Sequence, residues 1–217
     1  MKAEVEHKLQ LPLDEIKLFD YLIYVKTIND FDLSLPIDDY IRDKYWDHHN
    51  YDLLNHRVYL RTRYQCNTKD FIVTLRSFPI IDSNIVHLSE TDSPFTVTVA
   101  KKLLNYLNID IPVNEDTMSN IFDFENTMNK YMVNIIEIWN YRSKRTVIMN
   151  GDVVGFVNFD NYIAIRGRQT MHDLEIEIDI WDENKYELFL NQIMNISNNR
   201  FVHSDKTKLQ KALNKLA

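Results

Sequence analysis

Glycine is nearly missing from this chain: three residues in 217, too few for a glycine-rich loop that would cradle phosphate on backbone N–H groups. Cysteine occurs once, at Cys66, so an internal disulfide framework is excluded and a reducing, cytoplasmic compartment is expected. Cys66 lies beside Asn67-Thr68-Lys69 in a turn-like stretch, with no spaced His/Asp arrangement to activate it, which disfavours a cysteine nucleophile. No apolar run approaches the roughly 20 residues of a bilayer-spanning helix, and the charged start (Met1, Lys2, Glu4, Glu6) has no apolar signal core. No membrane partner is expected. Pro/Gly-rich linkers, internal repeats and low-complexity tracts are absent too, which leaves one domain over residues 1–217 as the expected organisation. Basic residues are outnumbered, 25 against 32 acidic, for a net charge of -7. That balance disfavours a broad surface for double-stranded nucleic acid, yet permits a basic cavity inside an acidic exterior.

What is present is strand pattern. Residues 3–11 alternate polar and apolar side chains, which puts Glu4, Glu6 and Lys8 on one face of a strand. From Pro12 the period changes: Leu13, Ile16, Phe19, Leu22 and Ile23 recur at helical spacing, with Pro12 suited to a first turn. Further strands are expected over 57–64, 71–77, 85–92, 135–149, 153–162 and 174–180, and helices over 98–107, 184–196 and 205–216. Asn150-Gly151-Asp152 marks a tight hairpin, because Asn and Gly tolerate positive φ. The architecture is α+β with β dominant.

Charge recurs inside those strands. Glu4/Glu6 and Glu175/Glu177 are carboxylate pairs at i and i+2; Arg57, Arg61 and Arg63 share one face of another strand, and Arg76 ends a third. Hard cations such as Mg²⁺ and Mn²⁺ take carboxylate oxygens, and guanidinium forks match phosphate oxygens. In a closed barrel with helices outside, the charged faces would point into the lumen and describe metal-assisted handling of phosphate. The same pattern is also what ordinary amphipathic strands with solvated charges present, and on residue pattern alone both readings stand.

The assembled residues resemble the CYTH superfamily, which includes inorganic and thiamine triphosphatases, class IV adenylate cyclases and, more distantly, RNA triphosphatases and polyphosphate polymerases. The resemblance covers most of the chain. Glu4-Val5-Glu6-His7-Lys8 reads as the family's Glu-x-Glu-x-Lys. Tyr45-Trp46-Asp47 followed by Leu60-Arg61-Thr62-Arg63 is similar to its aromatic-aromatic-Asp and Leu-x-Arg blocks. Phe71 to Arg76 resembles the strand ending in Thr-Leu-Lys, with arginine for lysine. Arg142, Lys144 and Arg145, then Asp160, then Leu174-Glu175-Ile176-Glu177 follow in the family's order. One departure stands at Leu88-Ser89-Glu90-Thr91-Asp92, where members commonly carry Arg-x-Glu-x-Glu and this chain lacks the arginine.

The resemblance implies a closed antiparallel barrel of about eight strands, a triphosphate tunnel, with helices packed outside. It implies a metal-dependent triphosphatase using Mg²⁺ or Mn²⁺ on Glu4, Glu6, Asp160, Glu175 and Glu177. Lys8, Arg61, Arg63, Arg76, Arg145 and Lys206 would hold phosphate, and Glu4, Glu6, Lys8 and Glu177 would form the catalytic set. Among Arg142, Lys144 and Arg145 the register is ambiguous, and Arg145 is expected inward. Lys206 belongs to Ser204-Asp205-Lys206-Thr207-Lys208, which resembles a segment closing over phosphate in some members; a capped surface helix explains it equally. The partner is a triphosphate-bearing small molecule or an RNA 5′ end, and the protein a monomer or homodimer. A class IV-type cyclase making cyclic AMP from ATP, and a non-catalytic triphosphate or polyphosphate binder, are the alternatives. His48-His49 is expected in an exposed loop, His7 in outer packing, and Trp46, Trp139 and Trp181 in core and helix–barrel packing.

Overall fold

The structure, a computed structural model, describes residues 7–77, 80–82, 85–87, 90–109 and 121–216. In chain order its strands are β1 (His7–Leu11), β2 (Thr27–Ile28), β3 (Phe31–Leu33), β4 (Ile37–Asp47), β5 (Val58–Gln65), β6 (Asp70–Ser77), β7 (Ile80–Asp82), β8 (Ile85–His87), β9 (Glu90–Pro94), β10 (Val133–Met149), β11 (Asp152–Arg166), β12 (Gln169–Ile180) and β13 (Val202–His203). The helices are α1 (Ile16–Tyr24), α2 (Asp52–Asn55), α3 (Val97–Tyr106), α4 (Ile121–Tyr131), α5 (Glu183–Ile196) and α6 (Lys208–Lys215). The chain divides into two compact units, residues 1–40 with 139–217 and residues 41–138.

In the first unit the hydrogen-bonded order is β13-β1-β12-β11-β10, with β3 pairing both β10 and β2. The side-chain period of two decides what each strand presents. Leu9 and Leu11 of β1, Val157 and Phe159 of β11, and Leu174, Ile176 and Ile178 of β12 join Phe19, Leu22 and Ile23 of α1 and Tyr186, Phe189 and Ile193 of α5 in one apolar core. Each such side chain contributes roughly 1.5–3 kcal/mol by leaving water. The intervening positions, Lys8, Gln10, Asn158, Asp160, Asp173, Glu175 and Glu177, therefore occupy the opposite, polar face. The hairpin between β10 and β11 turns on Asn150 (φ 54) and Gly151 (φ 86), as its sequence predicts.

In the second unit the order is β4-β5-β6-β9, with β7 and β8 pairing each other. Trp46, Leu60 and Val73 from the strands pack with Ala100, Leu103 and Leu104 of α3 and Phe124 and Met128 of α4. The Thr96 side chain caps α3 by accepting from Val99 N. Asp47 is fully buried and accepts from the backbone N–H groups of His48, Leu53 and Leu54, which fixes the start of α2.

The α+β class and the antiparallel pairing agree with expectation. No strand pairing among the described residues closes the series into a ring. Arg57 is not in β5: it lies in the preceding turn with φ 56. Trp46 is fully buried, but Trp139 and Trp181 are about half exposed, which corrects their expected place in the core. His48 and His49 fall in a loop, and His7 stacks on Tyr186 with centroids 3.9 Å apart. Cys66 lies in the turn joining β5 to β6.

Candidate functional site

In the first unit, antiparallel register brings three acids together. Asp160 of β11 is opposite Glu175 of β12, Asn158 is opposite Glu177, and Lys8 of β1 faces Glu177 from the other side. Asp160 and Glu175 are fully buried, Glu177 nearly so. One oxygen from each carboxylate lies within 4.8 Å of the others. Buried like charges at that spacing need cations, and the chain supplies them. Lys208 Nζ of α6 donates to Asp160 Oδ2 at 2.8 Å, Glu175 Oε1 at 2.6 Å and Glu177 Oε1 at 2.9 Å. Lys211 Nζ, one turn along, donates to Glu175 Oε2 at 2.5 Å. Arg142 donates from Nε and Nη2 to both oxygens of Asp160 at 2.7 and 2.6 Å, and from Nη2 to Glu177 Oε2 at 2.6 Å. Lys8 Nζ stands 3.6 Å from Glu177 Oε1.

A neighbouring carboxylate, Asp173, extends the polar face by one pair position. It accepts from Gln10 Nε2 and from the Tyr162 hydroxyl. Asn140 Nδ2 donates to Asp160 Oδ1 at 2.8 Å, while the Oδ1 atoms of Asn140 and Asn158 are buried without a donor among the described residues.

Titration follows this geometry. Burial alone pushes the Glu177 carboxyl up, but Lys208, Arg142 and Lys8 outweigh it and hold the group well below the usual carboxylate range. Asp160 is likewise lowered, with burial opposed by Arg142 and Lys208. Burial weakens the Lys208 ammonium, and Asp160, Glu175 and Glu177 more than reverse this, leaving its pKa well above the ordinary lysine value. Four carboxylates, Asp160, Asp173, Glu175 and Glu177, thus share one polar face with Lys8, Arg142, Lys208 and Lys211.

The second unit holds the expected arginines. Arg63 donates bidentately to Asp43, 2.7 Å from Nε and 2.7 Å from Nη2. Arg61, buried on the same face, donates from Nη2 to Thr74 Oγ1 at 2.8 Å and lies 3.9 Å from Asp43 Oδ2. Asp43 sits directly opposite Arg63 on β4. On the reverse face, buried Glu125 of α4 accepts from Arg42, Lys44 and Thr62, and Trp46 Nε1 donates to Thr62. This network seats α4 on the strands.

Arg145 requires a correction. Its side chain is 2% exposed, and it faces away from Arg142 and the carboxylates. Its guanidinium donates to the backbone carbonyls of Ser34 (2.6 Å), Val25 (2.6 Å), Ile23 (2.8 Å) and Leu33 (3.0 Å). The period of two puts Arg142 with Asn140 on the polar face and Arg145 among the carbonyls at the ends of α1 and β3. Lys206 is exposed in the turn before α6, and Lys208 makes the inward contact instead. Lys144 stacks its ammonium over Phe156, 4.2 Å from the ring centroid. Arg76 is on β6 opposite Tyr59 and Glu90, with its side chain outside the described set, as are Glu4 and Glu6 entirely. Lys208, Lys211, Asp43, Asp173 and Glu125 were not singled out by sequence. The signal for Lys208 and Lys211 was present in the i, i+3 lysines on the face of a short amphipathic helix.

No family profile and no curated protein matches this sequence. Solved structures do. A Hippeastrum protein studied as a proposed adenylyl cyclase, and found to have a dominant triphosphatase activity, aligns over 94% of this chain and 92% of its own at 17% identity, with a TM-score of 0.58. A Bacillus halodurans protein described as a candidate adenylate cyclase aligns over 96% of both chains at 19% identity, with a TM-score of 0.53. The chain shares the fold of these two proteins. Among the described residues no helix is long and apolar enough to cross a membrane.

Proposed function

We propose that this protein is a metal-dependent triphosphatase, cleaving orthophosphate from tripolyphosphate, a nucleoside or thiamine triphosphate, or an RNA 5′-triphosphate. The observation that carries the reading is the convergence of Asp160, Glu175 and Glu177 within 4.8 Å on one polar sheet face, together with the fold. The donor set fits a hard divalent cation: three carboxylates, an excess of buried oxygen, and two orphaned amide oxygens, Asn140 Oδ1 and Asn158 Oδ1, beside them. Asp160, Glu175 and Glu177, with Glu4 and Glu6 of the first-strand motif, would hold Mg²⁺ or Mn²⁺, which would supply an ordered, activated water and charge neutralisation on phosphate oxygens.

The remaining work falls to the chain. Arg61 and Arg63 present guanidinium forks already oriented by Thr74 and Asp43, so little rotamer freedom is lost when they take up phosphate oxygens. Lys8 and Arg76 add further cations along the phosphate chain. Arg142 holds Asp160 and Glu177 in place. Charge developing on the leaving oxygens is met by these fixed donors. A single domain closed as a tunnel, and a cytoplasmic location, belong to the same proposal.

The test is phosphate release from tripolyphosphate, ATP, thiamine triphosphate and 5′-triphosphate RNA, with and without Mn²⁺ or Mg²⁺. Release from at least one substrate, only with metal, is expected; silence on all four removes the reading. The Bacillus halodurans neighbour supports cyclisation of ATP as the second reading. Cyclic AMP in the product mixture by mass spectrometry would select it.

A further inference from the structure

Lys208 stands where a cation belongs. Its Nζ is 2.6 to 2.9 Å from one oxygen of each of the three clustered carboxylates. Those carboxylates are the proposed metal ligands, so ammonium and divalent ion compete for one position. Two positive centres at such a spacing in a buried site repel strongly, and three carboxylates cannot wrap both. We infer that Lys208 is an internal counter-cation which the divalent metal displaces, so that metal loading releases α6 from the polar face of the first unit. The inference rests on the metal reading of Asp160, Glu175 and Glu177.

The construction of α6 fits this exchange. Lys208 is the first residue of the helix, immediately after a capping box in which Thr207 accepts from Gln210 N and Gln210 accepts from Thr207 N. The cap fixes the backbone of Lys208 and sends its side chain into the carboxylates, leaving it 12% exposed. Lys211 follows at i+3 on the same helix face and pairs with Glu175. Both ammonium groups thus arrive on one short helix, preceded by the exposed Asp205 and Lys206. With Arg142 and Lys8 they meet the buried acids from within the chain itself. That removes the cost of uncompensated buried charge and sets a threshold for metal: an ion must outcompete a preorganised ammonium.

Mn²⁺ titration by calorimetry of the wild type and of Lys208→Met tests this directly, with phosphate release measured on the same samples. Methionine keeps the unbranched apolar stem, one atom shorter, and removes the charge. The variant is expected to bind Mn²⁺ at least about tenfold more tightly, since one like charge removed from the site is worth more than a factor of ten. Equal or weaker binding by the variant, with a wild type that binds Mn²⁺ and releases phosphate, overturns the exchange and leaves the triphosphatase reading standing. Tighter binding by the variant with no phosphate release from either protein supports the exchange and overturns the hydrolase reading. Absence of Mn²⁺ binding by both overturns the two together. Hydrogen exchange on the wild type needs no variant: amides of residues 209–215 are expected to exchange faster with Mn²⁺ than without. Slower or unchanged exchange there overturns the release of α6.

Discussion

Arg142 and Arg145 stand three positions apart on β10 and serve opposite sides of it. Arg142 meets the carboxylates of Asp160 and Glu177 at 2.6 Å, while Arg145 meets the carbonyls of Ser34 and Val25 at the same distance. The first neutralises acids; the second caps backbone.

Arg145→Ala therefore acts on stability. It leaves the carbonyls of Ile23, Val25, Leu33 and Ser34 buried without their donor, and a loss of about 3–5 kcal/mol is expected. Lysine, with three donors on one atom instead of a five-donor fork, recovers only part. Urea unfolding of the wild type and both variants measures it, and an unchanged midpoint for the alanine variant contradicts the assignment.

Glu177→Gln keeps the shape of the side chain but removes the charge that Lys208, Arg142 and Lys8 balance. Metal-dependent phosphate release should fall by roughly 100-fold or more. Assays at saturating Mn²⁺, with thermal melting to verify folding, check this; activity within threefold of wild type argues against Glu177 as a metal ligand.

Arg63→Ala removes a guanidinium preoriented by Asp43 from the set proposed to hold phosphate. Charge-assisted hydrogen bonds of about 1.5–3 kcal/mol each translate to a KM for tripolyphosphate raised about 10- to 150-fold. Steady-state kinetics give the answer, and a fall in kcat at constant KM points to a different role.

Gly155→Ala probes the β11–β12 contact. A Cβ there would lie 2.1 Å from Asp179 O and 2.7 Å from Ile180 Cα, both backbone atoms that cannot swing away. A loss of at least about 1–3 kcal/mol, or several degrees in Tm, is expected by calorimetric scanning.

The fold was largely legible where side chains alternate cleanly. β11 and β12 put apolar residues on one face and acids on the other, and Asn150-Gly151 marked their neighbouring hairpin. β4 was not, because Arg42 and Lys44 serve one face while Asp43 serves the other, so charge on both faces erases the period. α4 carried a readable spacing in Ile121, Phe124 and Met128, but Glu125 breaks the apolar stripe and is buried only because Arg42, Lys44 and Thr62 satisfy it. At the site, strand-borne acids could be read from i, i+2 spacing. The cations that neutralise them come from α6, and no local rule links residues 208 and 211 to 160 and 175. Arg145 shows the limit of motif reasoning, since a one-position shift in register moves a side chain to the other face.

The pairing of β1 has a consequence for the order in which the protein is made. Leu9 is opposite Ile176 of β12 and His203 of β13, so the first described strand finds its partners only in the last quarter of the chain. On the ribosome, β1 emerges long before either, with its apolar face uncovered throughout elongation. Folding of the first unit must then wait until β12 and β13 have left the ribosome, a delay that high sequence separation imposes and that makes nascent chains a natural client for chaperones.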